Sequence, residues 1–207
     1  MENKKYIALT FDDGPNTVVT PAVLERLKKY DVVATFFVNG SNISEDSVAV
    51  MKKACEMGCE IENHSQNHLK MSELDADKIK AEIESTDKLV EKYTGRKPWF
   101  FRPPYIAVSG LMHETVDKPF ICGYCPNDWS KDVTKEQTAE GVLKNVRNGH
   151  IILLHDSSYN LKSALALDAI IPKLQSDGFE FLTVSKLFEK FGVTPKKGVI
   201  YSNVNDN

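Results

Sequence analysis

A parallel α/β fold is predicted by three features of this 207-residue sequence. Short apolar segments rich in β-branched and aromatic residues alternate with amphipathic helical segments seven times. Such alternation specifies parallel strands joined by right-handed helical crossovers, hence an α/β sheet or barrel. Two of the strand segments, Tyr6–Phe11 and Ile151–Leu154, are almost continuously apolar, as strands buried on both faces are. The connections are short and no internal repeat interrupts them, so a single domain is expected.

The elements follow in order. After the first strand, Thr20 as N-cap and Pro21 in the first turn open a helix to Tyr30, with Val23, Leu24 and Leu27 on one face. Val32–Val38 reads as the second strand. Ser44 caps a helix over 45–57 that Gly58 ends, and Glu60–Asn63 is a brief third strand. Ile79, Ile83 and Val90 are in phase along the longest helix, 75–93, which stops near Gly95. Pro98 then introduces a fourth strand, Trp99–Arg102, and a fifth lies at Phe120–Cys122. Thr134 and Gln137 have capping-box spacing ahead of a helix that Gly149 ends. Beyond the Ile151 strand come a helix over 162–176, a strand over 180–183 and a helix over 185–191. Residues 1–192 are expected to form the domain, and 193–207 a C-terminal surface extension.

Lysine and arginine number 26 against 29 aspartates and glutamates, so no excess positive field is available for nucleic acid or an anionic membrane. No apolar run approaches the ~20 residues that cross a bilayer. The first eleven residues contain no signal-peptide apolar region, so the chain as given reads as cytoplasmic if it is full length.

Polar residues collect just past the carboxyl ends of successive strands: Asp12 and Asp13, His64, Arg102, Asp128, then His155 with Asp156. In a parallel α/β architecture these ends face one way and form the rim of a site. In His64-Ser65-Gln66-Asn67-His68, two imidazoles at i and i+4 would share one face of a helical turn and chelate one divalent ion. No glutamate lies between them to act as base. The Asp12-Asp13 pair can supply a third ligand and a base, and two histidines with one aspartate describe a catalytic zinc site. The plainer alternative is two packing histidines and two loop aspartates.

Five segments then carry a family resemblance: Thr10-Phe11-Asp12-Asp13-Gly14-Pro15, His64 to His68, Arg102-Pro103-Pro104-Tyr105, Asp128-Trp129 and Leu153-Leu154-His155-Asp156. In order, they resemble the motifs of polysaccharide deacetylases, the NodB-homology group or carbohydrate esterase family 4. The resemblance implies a distorted TIM-like (β/α)7 barrel and metal-dependent removal of acetyl groups from a polysaccharide. Asp13, His64 and His68 would be the metal ligands, with Zn²⁺ the expected ion and Co²⁺ the alternative. Asp12 would be the general base, His155 the general acid and Arg102 the residue orienting Asp12. The Tyr105 backbone N–H would help stabilise the oxyanion. Trp129 and Leu153 would wall the acetyl pocket, with Asp128 beside the substrate.

The family's fourth motif reads Asp-x-x-Asp-Trp, and here Cys125 replaces its first aspartate. A thiol is a weak hydrogen-bond partner, so a lower pKa for His155 than in relatives with aspartate there is expected unless Asp128 compensates. Asp156 reads either as a loop lock or as part of proton transfer. His113 and His150 read as structural, and Cys55, Cys59, Cys122 and Cys125 as packing residues rather than a thiolate zinc site or a disulfide. Asn39-Gly40-Ser41-Asn42 is turn chemistry whose place after a strand could put it beside substrate.

The resulting expectation is a monomeric N-acetylglucosamine deacetylase acting on peptidoglycan or chitin-type oligomers. Alternatives are an acetylxylan esterase, a carbohydrate-binding pseudoenzyme and a cyclic-imide amidase. By resemblance, its place is the cell envelope or outside the cell, as the catalytic domain of a longer exported protein.

Overall fold

The computed structural model describes residues 4–206. β1 (Lys5–Asp12) is the axis of the sheet, and its apolar run is buried from Ile7 onward. β2 (Thr35–Val38) pairs in parallel on one side of it, and β3 (Glu60–Asn63) pairs beyond β2. On the other side β5 (Ile151–His155) pairs with the C-terminal half of β1 and β6 (Phe179–Phe181) with its N-terminal half. Single parallel bridges join Phe101 to Asn63 of β3 and to Phe120 of β4 (Phe120–Ile121), and Tyr124 to Ile152 of β5. The pairings therefore run round a ring, giving the distorted (β/α)7-type barrel expected from the motifs.

Helices pack outside: α1 (Val19–Lys29), α2 (Glu45–Glu56), α3 (Ala76–Thr94), α4 (Gly110–Thr115), α5 (Lys135–Asn145), α6 (Leu161–Ser176) and α7 (Val184–Phe191). The main core lies between them and the sheet, with Phe11 stacked on Phe36 at 5.4 Å. Helix ends follow local chemistry. Ser44 with Ser47 and Thr134 with Gln137 form reciprocal capping boxes, and Gly95 ends α3 in the left-handed region (φ 73°).

Four local expectations are corrected. Thr20 does not cap α1: the Asn16 side-chain Oδ1 accepts from the N–H groups of Val18, Val19 and Thr20, leaving the Thr20 hydroxyl to donate to Asp156 (2.6 Å). β2 starts at Thr35 rather than Val32, because the Val32 N–H closes the end of α1 on the Leu27 carbonyl. Trp99–Arg102 forms no ladder. Pro98 and Pro103 bracket it, the Phe100 N–H goes to the Glu62 side chain, and only Phe101 bridges.

The fourth correction concerns the tail. Residues after Gly192 are not a surface extension, since β7 (Ile200–Tyr201) pairs with β4 and Tyr201 and Val204 are buried. Tyr201 meets Phe188 of α7 edge to face at 5.0 Å. Their apolar side chains pack in one cluster with Ile121 of β4 and Val204. Tyr201→Ala is expected to cost about 3–5 kcal/mol, as for other large core truncations, measured as a lowered urea midpoint. An unchanged midpoint would mean that the tail merely lies on the surface.

The register sets the level of the site. Asp12 pairs across β1 with Phe37 of β2 and His155 of β5, and Val38 pairs with Asn63. The carboxyl ends of β1, β2, β3 and β5 thus finish together.

Candidate active site

Asp12 is the last residue of β1 and is 2% exposed. Its Oδ1 accepts a hydrogen bond from Arg102 Nη1 at 2.5 Å. Arg102, itself fully buried, also donates to the Thr10 hydroxyl and to the carbonyls of Ile121 and Cys122, and its guanidinium lies 4.0 Å from the centre of the Phe37 ring. Burial pushes the Asp12 carboxyl up, but the Arg102 charge leads the opposing effects, and the net result is a pKa below the ordinary value. A buried carboxylate is thereby kept ionised.

His64, His68 and Asp13 converge beside it. His64 Nε2 lies 3.7 Å from Asp13 Oδ1 and 3.6 Å from Asp12 Oδ2, and His68 Nε2 lies 3.4 Å from Asp13 Oδ1. The pair is not on a helical turn. His64 to His68 form a loop with Ser65 (φ 72°) and His68 (φ 54°) in the left-handed region, and the rings meet edge to face at 5.0 Å. The bends are held by the Asn63 side-chain Oδ1 accepting from the Ser65 N–H and by the Ser65 hydroxyl accepting from the His68 N–H.

The donor set fits a divalent cation. The Arg102 backbone carbonyl can only accept, so His64 Nδ1 donates to it (2.7 Å) and the Nε2 lone pair faces Asp13. Burial, the largest influence, holds His64 below the ordinary imidazole pKa and favours that neutral, ligating form. Lone pairs of an imidazole and a carboxylate then point at one another with no proton between them. Ligands at ~2.0–2.1 Å in tetrahedral array lie about 3.3 Å apart, close to the spacing found here. Asn39 and Asn42 fix the Asp13 loop, through a weak Nδ2 contact to Asp13 Oδ1 (3.4 Å) and a 2.7 Å bond to its backbone carbonyl.

On the opposite wall His155 closes β5, and its Nδ1 donates to Asp128 Oδ1 at 2.9 Å, leaving Nε2 for the cavity. Asp128 is fully buried and anchored through Oδ2 by the His155 N–H (2.8 Å), Ser163 (2.5 Å) and Asn160 (3.2 Å). Burial tends to lower the His155 pKa, but the hydrogen bond and charge of Asp128 dominate and raise it to about 9. Asp128 is thus aimed at the imidazole, as compensation for the missing aspartate requires. Asp128 supplies the carboxylate, and Cys125, its thiol pushed up to about 12 mainly by burial, contributes only a 3.7 Å contact to Asp128. Ser163 and Asn160 were not legible as site residues, since an Asn just ahead of a helix reads as its cap.

A cavity of about 420 Å³ joins these groups, with Trp129, Leu153, Tyr105 and Cys125 in its wall. Leu153 is 3% exposed, whereas Trp129 (56%) and Tyr105 (67%) project over the opening. Tyr105 has a left-handed backbone (φ 59°) and its ring meets His68 edge-on at 4.7 Å. Asp156 is buried under the Gly14 turn, where its carboxylate accepts from the Thr20 hydroxyl and a Cβ on Gly14 would sit 2.5 Å from it. His113 bonds the Gly198 carbonyl, and His150 precedes β5 at its far end and bridges Asn203, both away from the site. All four cysteines are free thiols.

The polysaccharide deacetylase family model matches residues 1–118, more than half of the chain. The chain belongs to the polysaccharide deacetylase family. Among curated members of the family, it is 42% identical over 204 residues to a bifunctional xylanase/deacetylase of Pseudobutyrivibrio xylanivorans, covering 98% of this chain and 34% of that protein. It is 37% identical over 193 residues to the peptidoglycan-N-acetylglucosamine deacetylase PgdA of Listeria monocytogenes, covering 90% of this chain and 40% of that protein. The chain thus spans between a third and two fifths of these two relatives. Among solved structures, the Xyl-CE4 domain of a multidomain xylanase from the hindgut metagenome of Trinervitermes trinervoides superposes with a TM-score of 0.97 at 42% identity, covering 99% of this chain and all of that one.

The Arg102–Asp12 pair yields a stability prediction. Arg102→Met leaves Asp12 buried without its partner and is expected to cost about 3–5 kcal/mol in denaturant unfolding. Adding Asp12→Asn should recover part of that loss. If the double variant is no more stable than Arg102→Met, the pair is not what holds this end of the barrel.

Proposed function

We propose that the chain is a metal-dependent hydrolase that removes acetyl groups from a polysaccharide, and that it acts as a monomer. The observation that carries this reading is the facing of an ionised, Arg-held Asp12 and an Asp128-held imidazolium across one cavity beside the Asp13–His64–His68 cluster. A base and an acid with pKa values pushed apart are what amide hydrolysis requires.

Asp13, His64 and His68 hold the cation, with Zn²⁺ the expected ion and Co²⁺ the alternative. When bound, it polarises the acyl carbonyl and acidifies water. Asp12 takes the proton of the attacking water, and Arg102 keeps that carboxylate ionised and aimed. Charge developing on the acyl oxygen is met by the Tyr105 backbone N–H. His155 Nε2 then protonates the leaving amine nitrogen or alcohol oxygen, with Asp128 fixing the tautomer and holding the proton until transfer. Leu153 and Trp129 enclose the acetyl methyl, and each extra methylene of a larger acyl group is disfavoured by about 1–3 kcal/mol.

The leading substrate is an N-acetylglucosamine polymer, because an amine leaves only if protonated and His155 remains charged at neutral pH. O-acetylated xylan is the second reading, favoured by the xylan-linked names of two relatives at 42% identity. No helix among the described residues is long and apolar enough to cross a membrane. The named peptidoglycan deacetylase relative supports placement at the cell envelope or outside the cell, within a longer protein.

Three measurements test this. Acetate release from chitin oligomers, peptidoglycan and acetylated xylan should disappear after chelation and return with Zn²⁺ or Co²⁺. Release from none of them by the reloaded protein would favour a binding pseudoenzyme. Asp128→Asn should lower kcat by about 10²–10⁴-fold. His155 acts in its protonated form, so activity is lost as pH rises through its raised pKa. Without Asp128 the alkaline limb should therefore move down from about 9 towards the ordinary imidazole value. Cys125→Ser should leave that limb in place; a large downward shift there would reinstate the thiol as its determinant.

A further inference from the structure

Cys125 has no part in the chemistry described above, yet its thiol faces the two residues that form the acid. Cys125 Sγ lies 3.7 Å from Asp128 Oδ1, across a turn in which Asn127 takes a left-handed backbone (φ 59°). His155 Nδ1 lies 2.9 Å from the same oxygen. A sulfur, a carboxylate oxygen and an imidazole nitrogen of these three residues all fall within 4.8 Å of one another. The other Asp128 oxygen is taken by three donors, so Oδ1 is presented in a fixed direction. Cys125 and His155 both line the 420 Å³ cavity, which gives an ion a route in.

Thiolate, carboxylate and imidazole are a donor set for a thiophilic divalent cation, with water as a fourth ligand. At ~2.3 Å to sulfur and ~2.0–2.1 Å to oxygen or nitrogen, tetrahedral ligand atoms stand about 3.3–3.5 Å apart. The spacings of 2.9 and 3.7 Å bracket that range. Two protons must leave for the ion to enter, one from the Cys125 thiol and one from His155 Nδ1. The Asp13–His64 lone pairs already face one another without a proton, so that position fills first and the Cys125 position second. An ion on Nδ1 leaves the ring with its Nε2 proton alone. The ring is then no longer an imidazolium and cannot protonate a leaving group.

We propose that Cys125, Asp128 and His155 form a second, weaker site for a thiophilic divalent cation, Zn²⁺ or Cd²⁺, and that filling it switches hydrolysis off. Activity then rises with the first ion and falls with the second. The binding half stands on the cluster itself, and the inhibitory half rests on the deacetylase reading above. Hard cations such as Mg²⁺ have little affinity for a thiolate and leave the site alone.

The test titrates Co²⁺ into wild type, Cys125→Ser and His68→Ala, each preloaded with one equivalent of the ion. A thiolate bound to Co²⁺ gives an intense near-ultraviolet charge-transfer band that imidazole and carboxylate ligands do not give. In wild type the band should grow only with the second ion. His68→Ala, whose first position is impaired, should still develop it, and Cys125→Ser should not. A wild type without the band, or a Cys125→Ser that keeps it, overturns the proposal. Acetate release from chitin oligomers is then followed as Zn²⁺ rises beyond one equivalent. Wild type should be inhibited, and half-inhibition of Cys125→Ser should need at least about tenfold more Zn²⁺, whereas Mg²⁺ should inhibit neither. Equal inhibition of both proteins by Zn²⁺ overturns the switch. The band needs no turnover, so a second ion bound through Cys125 with no acetate released from any substrate would sink the deacetylase reading alone.

Discussion

Arg102 lies at the centre of the barrel with no solvent contact and four hydrogen bonds, to Thr10, Asp12, Ile121 and Cys122. Burying a guanidinium costs several kcal/mol unless its donors are met, and here they are met from two distant parts of the chain, β1 and the end of β4. The requirement runs in both directions. Asp12 can remain ionised in a dry environment because Arg102 is present, and the segment carrying Arg102 is held in place by Asp12 and by the Asn63 carbonyl that accepts from the Arg102 N–H. The Arg102 carbonyl in turn fixes the tautomer of His64. One buried residue therefore sets the charge of the candidate base and the lone-pair direction of a candidate ligand, and joins a bridge segment to β1.

Asp128 plays the corresponding part on the other wall. It accepts from the backbone and ring of His155 and from two residues at the start of α6, so it cannot turn away from the imidazole. The site is consequently polarised, with a carboxylate held low on one side and an imidazole held high on the other. Each carries its own buried partner, so a change at Cys125 alters little of this division. The thiol touches Asp128 from outside a network that is already satisfied.

Much of this was legible from residue order. Aspartates after β1, histidines after β3 and a histidine closing β5 fall at strand ends, and parallel topology alone brings such ends to one face. The Ser44 cap and the Thr134–Gln137 capping box were legible because they depend on residues close together in the chain. Misreadings occurred where a distant partner overrode a local preference. Thr20 has the chemistry of a cap but serves Asp156, and the Phe100 N–H bonds a glutamate instead of a neighbouring strand.

The sequence by itself determined the alternating architecture, the level at which polar residues collect and the identities of the groups able to bind a cation or move a proton, because those follow from periodicity, strand direction and donor type. Only the tertiary structure decided which carboxylate serves His155, how the loop from His64 to His68 bends its two rings towards Asp13, and that the tail from Ile200 to Val204 completes the core. Each of these depends on where a side chain or a late segment finds its partner across the fold, and no local pattern encodes a hydrogen bond or an apolar contact between residues that are far apart along the chain.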